Sequence, residues 1–449
     1  MGCIAYHPAS LPREPDLAPS VAGLKLSSPS FAPLPSLKPH RIDPQAALDP
    51  TGAAILAVLN NPALEAAEAE RDVAAAQLFA TGLLPDPLLD MNRQHPLRGG
   101  DSVHKGSALS LEAMLTGLVG RRDRIRAAQA HLTRVDLDLL WKSWQVAARA
   151  RWLVSAIVEE RRLGAAGDAV WKAVGGMARA RRNVENLATL AQRGTASAAE
   201  ATELRSLVEK LAADLGLTRR RLSDDQESLR SLLGLAPDAP LPLRAGAPPV
   251  ISPAAVASAL GQLARRRPDL LALAAGFESA DQHLRAAVAA QFPAVSVSLL
   301  RESDVEGVTS IGLGVSLRLP FFDGGRGAVR VAEASRAALE RSYRARLDQT
   351  RGEVAALERD YAILRREGAH LPPQAKPGSD RAELAPLARL ERGGHASQLE
   401  ALRLALSRFE ARQRRIEIDL ELHKAAIALQ TVLGVPPDEL RRAREVPKS

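Results

Sequence analysis

Nine histidines, one cysteine and 52 acidic residues are the raw material for chemistry in this 449-residue chain. His95 and His104 lie in one stretch of alternating sequence, and His395 lies far downstream. No pair has the i, i+4 spacing of two ligands on a helix, and no Cys/His cluster exists, so solvated or structural histidines are expected and no metal or other cofactor. Gly324-Gly325-Arg326-Gly327 precedes helical sequence but lacks the Lys-Ser/Thr that cradles a phosphate, and it reads as the exit from a strand into a helix. With no catalytic constellation, an enzyme is not expected. Glu302, Asp304 and Glu306 share one loop. In a symmetric assembly they would make an acidic ring that favours cations, though an ordinary solvated loop accounts for them too.

The most specific spacing is Ser-x-x-Glu, and it occurs twice. Gly194-Thr195-Ala196-Ser197-Ala198-Ala199-Glu200 returns as Gly394-His395-Ala396-Ser397-Gln398-Leu399-Glu400. Both are capping boxes, in which the serine oxygen accepts from the backbone N–H three residues on and the glutamate reaches back. The glycine ahead of each suits the left-handed turn that ends the previous helix. Both copies close on one phrase, Leu233-Gly234-Leu235 and Leu433-Gly434-Val435. Each half therefore holds a helical hairpin with its tip at this motif.

The elements that position these tips follow from period and punctuation. Helix is expected from near Ala53 to Ala80, interrupted at Asn61-Pro62, and again from Ala254 to Ala290, where Arg267-Pro268 corresponds. The period then changes to two. Phe292 to Leu299 and Ile311 to Leu319 alternate around a polar loop, and Leu88–Asn92 with Ser107–Leu115 gives a weaker first-half version. Strands of eight to ten residues have the length of tilted membrane-crossing strands. Two isolated hairpins are not stable alone, so they must join other strands, expected from other chains. Turns at Gly117/Gly120 and at Asp323-Gly324-Gly325 lead into further helices.

Between Leu97 and Ala236 there is no proline. Ile125, Leu132, Leu139, Val146 and Leu153 recur every seven residues, as do Val208, Leu215, Leu222 and Leu229, which marks coiled-coil-like packing. A helix from Val119 to Gln192 would span about 110 Å, with a bend expected at Gly164, Gly167, Gly175 and Gly176. Trp141, Trp144 and Trp152 share one side of it and read as a packing stripe. In the second half, Leu371-Pro372-Pro373 interrupts the corresponding helix.

Composition agrees with long helices in thin layers. Hydrophobic residues make up 46%, yet aromatics only 3%. The net charge of +8 is carried by 60 basic and 52 acidic residues spread along the chain, which argues against a nucleic-acid patch. No apolar run reaches the ~18 residues of a membrane-spanning helix. Residues 1–52 form a Pro-rich arm, 53–238 and 254–438 two repeats, 239–253 a Pro-rich linker, and 439–449 a tail. Met1-Gly2-Cys3 has the small residue before cysteine that ends a bacterial lipoprotein signal, although the apolar stretch that should precede it is absent.

The order helix, hairpin, long helix, capped turn, helix, given twice, resembles the TolC family of outer-membrane efflux proteins. The words that carry it are Arg267-Pro268-Asp269-Leu270, Phe292-Pro293, Leu319-Pro320-Phe321-Phe322-Asp323-Gly324-Gly325, Gly82-Leu83-Leu84-Pro85-Asp86-Pro87 and the two Leu-Gly endings. The resemblance covers roughly Ala53 to Asp438. It implies a homotrimer in which four strands per protomer close a 12-stranded barrel in outer-membrane lipid and the helices wall a periplasmic tunnel. It implies a lipid on Cys3, as on many members. It places Arg193, Gly194, Thr195, Ser197, Glu200 and Arg392, Gly394, His395, Ser397, Glu400 at the periplasmic tip, in contact with an adaptor protein that links to an inner-membrane transporter. There Glu200 and Glu400 would gate the pore by pairing with Arg193, Arg389 or Arg392, or would only cap their helices. The Leu371-Pro372 to Ala375 phrase is similar to one in members associated with heavy-metal export, while drugs remain equally open as cargo. The competing expectation is a soluble helical scaffold with minor hairpins.

Overall fold

The computed structural model describes residues 6–26, 42–43, 46–95, 97, 105–173, 177–193, 197–246, 250–371 and 395–436. It is mainly helical with one four-stranded antiparallel sheet. Its helices are α1 (Pro50–Asn60), α2 (Pro62–Gly82), α3 (Arg121–Ala173), α4 (Met177–Gln192), α5 (Ala198–Leu233), α6 (Pro253–Leu260), α7 (Leu263–Arg266), α8 (Pro268–Ala289), α9 (Arg326–His370) and α10 (His395–Leu433). The strands are β1 (Leu88–Gln94), β2 (Gly106–Met114), β3 (Ala294–Ser303) and β4 (Thr309–Arg318).

Helix boundaries follow caps more than apolar pattern. α1 starts three residues before Ala53 because Asp49 accepts from Gly52 N at 2.7 Å and Pro50 occupies the first turn. The two Leu-Gly endings have one geometry. Gly234 and Gly434 are left-handed (φ 68° and 66°), and the next N–H reaches five residues back, Leu235 to Arg230 O and Val435 to Gln430 O. Of the four glycines expected to bend the long helix, Gly164 and Gly167 lie inside unbroken α3, while Gly175 and Gly176 fall outside the described residues. Gly167 is a packing device instead: a Cβ there would sit 2.0 Å from Leu215 Cδ2. The expected interruption at Leu371-Pro372-Pro373 begins where the described residues stop.

The chain forms two compact units, each drawing on both halves of the sequence. The first comprises Met1–Glu65, Ser143–Gly261 and Glu353–Ser449. One of its cores joins Leu163 and Val170 of α3 to Val208, Leu211 and Leu215 of α5 and to Leu406 and Phe409 of α10. The other packs α1, α3 and α5 through Leu56, Leu153, Ile157, Leu229 and Leu233. The Pro-rich arm belongs to this core: Val21, Leu24 and Leu48 are buried. Ala18 bridges Leu235, and Leu48 bridges Leu243, so the arm is held by backbone bonds at these two points.

The second unit comprises Ala66–Lys142 and Gln262–Gly352 and holds the sheet. Strand order is β1-β2-β3-β4. The two hairpins pair with each other, from Ser107↔Ser303 to Met114↔Ser296, where strands of other chains were the expected partners. Pairing them removes two of the four edges that isolated hairpins would expose.

Candidate functional site

Successive residues of a strand point to opposite faces, and the register fixes which residues share one. Leu89↔Leu111↔Leu299↔Leu313 is one row, and Met91↔Leu109↔Arg301↔Ile311 is the next. With Val297, Val315 and Leu317 these make a continuous apolar face. Its members are exposed: Leu299 at 49%, Leu313 at 87% and Ile311 at 74%. The opposite face carries Asp90↔Ser110, Glu112↔Ser298↔Gly314 and Glu302↔Ser310. A Cβ on Gly314 would lie 2.5 Å from Ser298 Oγ, so these two do share that side. Along the middle of β2 and β3 the polar positions are half-buried while the apolar ones are exposed, as on a sheet curled around its small, polar side. Ile311 to Leu319 gives an apolar band of about 27 Å along the strand, close to the ~25 Å band of an outer-membrane barrel. Among the described residues no helix is long and apolar enough to cross a membrane.

The strand-to-helix exit has the geometry its residues demand. Gly324 (φ 57°) and Gly325 (φ 71°) are left-handed, and a Cβ on Gly325 would meet Gln291 Cγ at 3.0 Å. Asp323 starts α9: its carbonyl accepts from Arg326 N at 3.1 Å and its carboxylate from Gly327 N at 3.4 Å. Pro320, Phe321 and Phe322 are exposed, the phenylalanines at 78% and 95%. In the first half, Thr116 ties the sheet to the helices: its hydroxyl accepts from Val295 N at 2.6 Å.

At the helical tip, Ser197 Oγ accepts from Glu200 N at 3.5 Å and caps α5. Glu200, Glu400 and Arg193 are exposed. Gly194, Thr195, Arg389, Arg392, Gly394 and Cys3 lie outside the described residues, as do the side chains of His395 and Ser397. Among the described residues a cation set near both tip glutamates is Arg403, which sequence reasoning missed. It bonds Glu203 (Nε to Oε1 2.6 Å), and Glu200 and Glu400 add their attraction. The hydrogen bond from Arg403 lowers the Glu203 carboxyl below its ordinary range. Lys210 pairs with Glu410. Both pairs join residues 200 apart, so α5 and α10 lie side by side in the register of the repeat. The signal was present: positions 203/403 and 210/410 carry opposite charges in the two copies.

The Arg-Pro-Asp-Leu phrase builds an ion network in the sheet-bearing unit. Asp269 accepts from Arg267 (2.7 and 2.5 Å), from Arg346 of α9 (2.8 Å) and from Leu270 N (2.9 Å). Arg267 is fully buried and stacks on Trp141 at 4.8 Å. Burial alone would raise the Asp269 carboxyl, but the bonds from Arg267 and Arg346 outweigh it and hold it below 3.8. Trp141 is thus a cation's partner as well as part of a stripe. Among the described residues no three His, Cys, Asp or Glu side chains converge as metal ligands.

Comparison with known proteins fits this geometry. Residues 259–435 match the family model for outer membrane efflux proteins. Curated protein sequences give no match. Among solved structures, a membrane protein from Pseudomonas aeruginosa aligns with a TM-score of 0.62 at 22% identity, covering 85% of this chain and 91% of its own. The open state of the Neisseria gonorrhoeae MtrE outer membrane channel aligns at 0.60 and 19%, covering 86% and 89%. VceC, an outer membrane protein from Vibrio cholerae, aligns at 0.60 and 18%, covering 86% and 96%. At such identities the structures establish the fold, across both halves, and the family match covers the second half. Residues 259–435 thus carry the pattern of the outer membrane efflux protein family, and the chain as a whole has the fold of these outer membrane channels.

Proposed function

We propose that three copies close their sheets edge to edge into one 12-stranded barrel and serve as the passive outer conduit of a tripartite efflux pump. The observation that carries this reading is the sheet itself. One face is apolar and exposed, the other is polar, and β1 and β4 end it with edges that are unpaired among the described residues. In lipid every backbone N–H and C=O needs a partner, and a neighbouring copy's β4 beside β1 supplies them. Ile125, Leu132 and Leu139 of α3 are only half-buried in one chain, which leaves a heptad stripe for a neighbour. A soluble scaffold gives no account of that exposed apolar band.

The polar face then lines the lumen. Asp90, Glu112 and Glu302 outnumber Arg318 there, which suits cations more than anions. The cargo is read as small solutes, heavy-metal cations or drugs, with the pump and adaptor making the choice. The adaptor docks at the Ser197 and Ser397 turns, Glu200 and Glu400 act with Arg403 in setting the tip, and Cys3 takes a lipid. Native mass spectrometry in mild detergent should give a mass of three chains, and the same preparation should conduct ions in a planar bilayer. A monomer that does not conduct overturns the proposal.

A further inference from the structure

The apolar face does not end alike at its two rims. Toward the helices it ends in Phe292, Phe321 and Phe322, all exposed. Toward the hairpin loops it ends in cations. Arg93 faces Ser107, one row beyond Met91, and Arg301 stands in the row of Leu109 and Ile311. Lys105 directly precedes β2, on the same side by alternation. All three are exposed, and among the described residues none has an ion pair. Of the neighbouring acids among the described residues, Glu302 alternates to the polar face, and Asp304 is occupied by the backbone N–H groups of Glu306 and Val308, both at 2.9 Å.

A cation on the lipid side of a barrel is costly at mid-membrane and nearly free at the border. These three stand at the border only, and only at the rim away from the helices. With the helices in the periplasm, that rim meets the outer leaflet. Guanidinium forks bind phosphate bidentately and a lysine adds a point charge. Strand spacing of about 4.8 Å and row spacing of about 6.8 Å put the three within roughly 15 Å of one another, the span of one large headgroup. We propose that Arg93, Lys105 and Arg301 form a binding site for the phosphates of a phosphorylated glycolipid of the outer leaflet. The proposal rests on the barrel reading above.

The test uses the full chain, purified as its oligomer in neutral detergent. Binding of bis-phosphorylated lipid A and of chemically dephosphorylated lipid A is measured by native mass spectrometry. The wild type should prefer the phosphorylated lipid at least tenfold. In R93Q/K105Q/R301Q the preference should fall below threefold, and R93Q or R301Q alone should lower it partway. Arg318→Gln, on the polar face, should leave it unchanged. Equal binding of the two lipids by wild type, or a preference that survives the triple substitution, overturns the site. Bilayer conductance separates the two levels: pores without lipid preference sink the site alone, whereas a non-conducting monomer sinks the barrel reading with it.

Discussion

Two corresponding positions solve the same problem by different means. Each must start a helix at a proline, in a buried place, with the first N–H groups unsatisfied. At α2 the answer is neutral and local. Asn61, 7% exposed, accepts from Ala63 N and Leu64 N, both at 3.1 Å, and donates to Leu232 O of α5 at 3.0 Å. At α8 the answer is ionic. Asp269 accepts from Leu270 N in the first turn and from Arg267, and the pair also binds α9 through Arg346 and α3 through Trp141. The ionic version ties three helices where the amide ties two, and it leaves a much larger debt if broken, because a buried charge without its partner cannot be rehydrated.

Asp269→Ala should therefore be the most damaging single change. It takes the carboxylate from Arg267, which is fully buried, and the expected loss is about 3–5 kcal/mol, measured by denaturant unfolding in detergent. The carboxyl is held below its ordinary value, so its contribution is full above pH 3.8 and is lost as pH falls through the lowered folded value. A loss no larger than that of Asn61→Ala would end the contrast.

Glu160 sharpens it, being a buried carboxylate that the fold does not pair well. It is 8% exposed, and its Oε2 has no hydrogen-bond partner. Burial pushes its pKa up to about 7, with Asp225 and Asp224 adding repulsion against the weaker pull of Arg221. For an acid raised in the folded state the sign reverses. Its penalty is absent below pH 4.5, grows as pH rises, and is complete above about 7. Glu160→Gln should then stabilise the protein by about 2–3 kcal/mol at pH 8 and have little effect at pH 4. Melting curves at the two pH values check this, and equal shifts at both would remove the titration from the account.

Asn61→Ala is the neutral counterpart. It removes a cap and leaves Leu232 O short of one donor, at a cost of about 1–2 kcal/mol with no pH dependence. A cost above 3 kcal/mol, or a slope with pH, would mean that the two starts are less different than their chemistry says.

What was legible in the sequence was local. The strand alternation from Phe292 to Leu319, the Ser197 cap and the Leu-Gly endings each state their structure within about eight residues, through period, cap or left-handed turn. Pairings between distant segments were not legible. Nothing within Ser107–Leu115 names Ala294–Ser303 as its neighbour, and nothing near Pro19 says that Val21 and Leu24 enter a core. Gly167 looked like a hinge because a lone glycine weakens a helix, yet its reason is the Leu215 side chain from another helix. The candidate tip was legible as a motif, while its cation was not, because Arg403 belongs to neither box and matters only once α5 and α10 lie together.

That last point yields the smallest and most specific effect. The bond between Glu203 and Arg403 is solvent-facing, so screening should leave it little weight in global stability. Its reading as a register mark is still testable. Glu203→Arg places like charges at corresponding positions, and E203R/R403E restores the pair with its signs exchanged. The single change should lower the melting temperature slightly at low salt, and the double change should recover most of the loss. The pair Lys210 and Glu410, seven residues on, already carries that exchanged polarity, so the swap imitates an arrangement the two helices use one heptad away. If the double variant is worse than the single one, the pair is not interchangeable, and the sign at 403 is set by something other than its partner, with Glu200 and Glu400 as the nearest charges to examine.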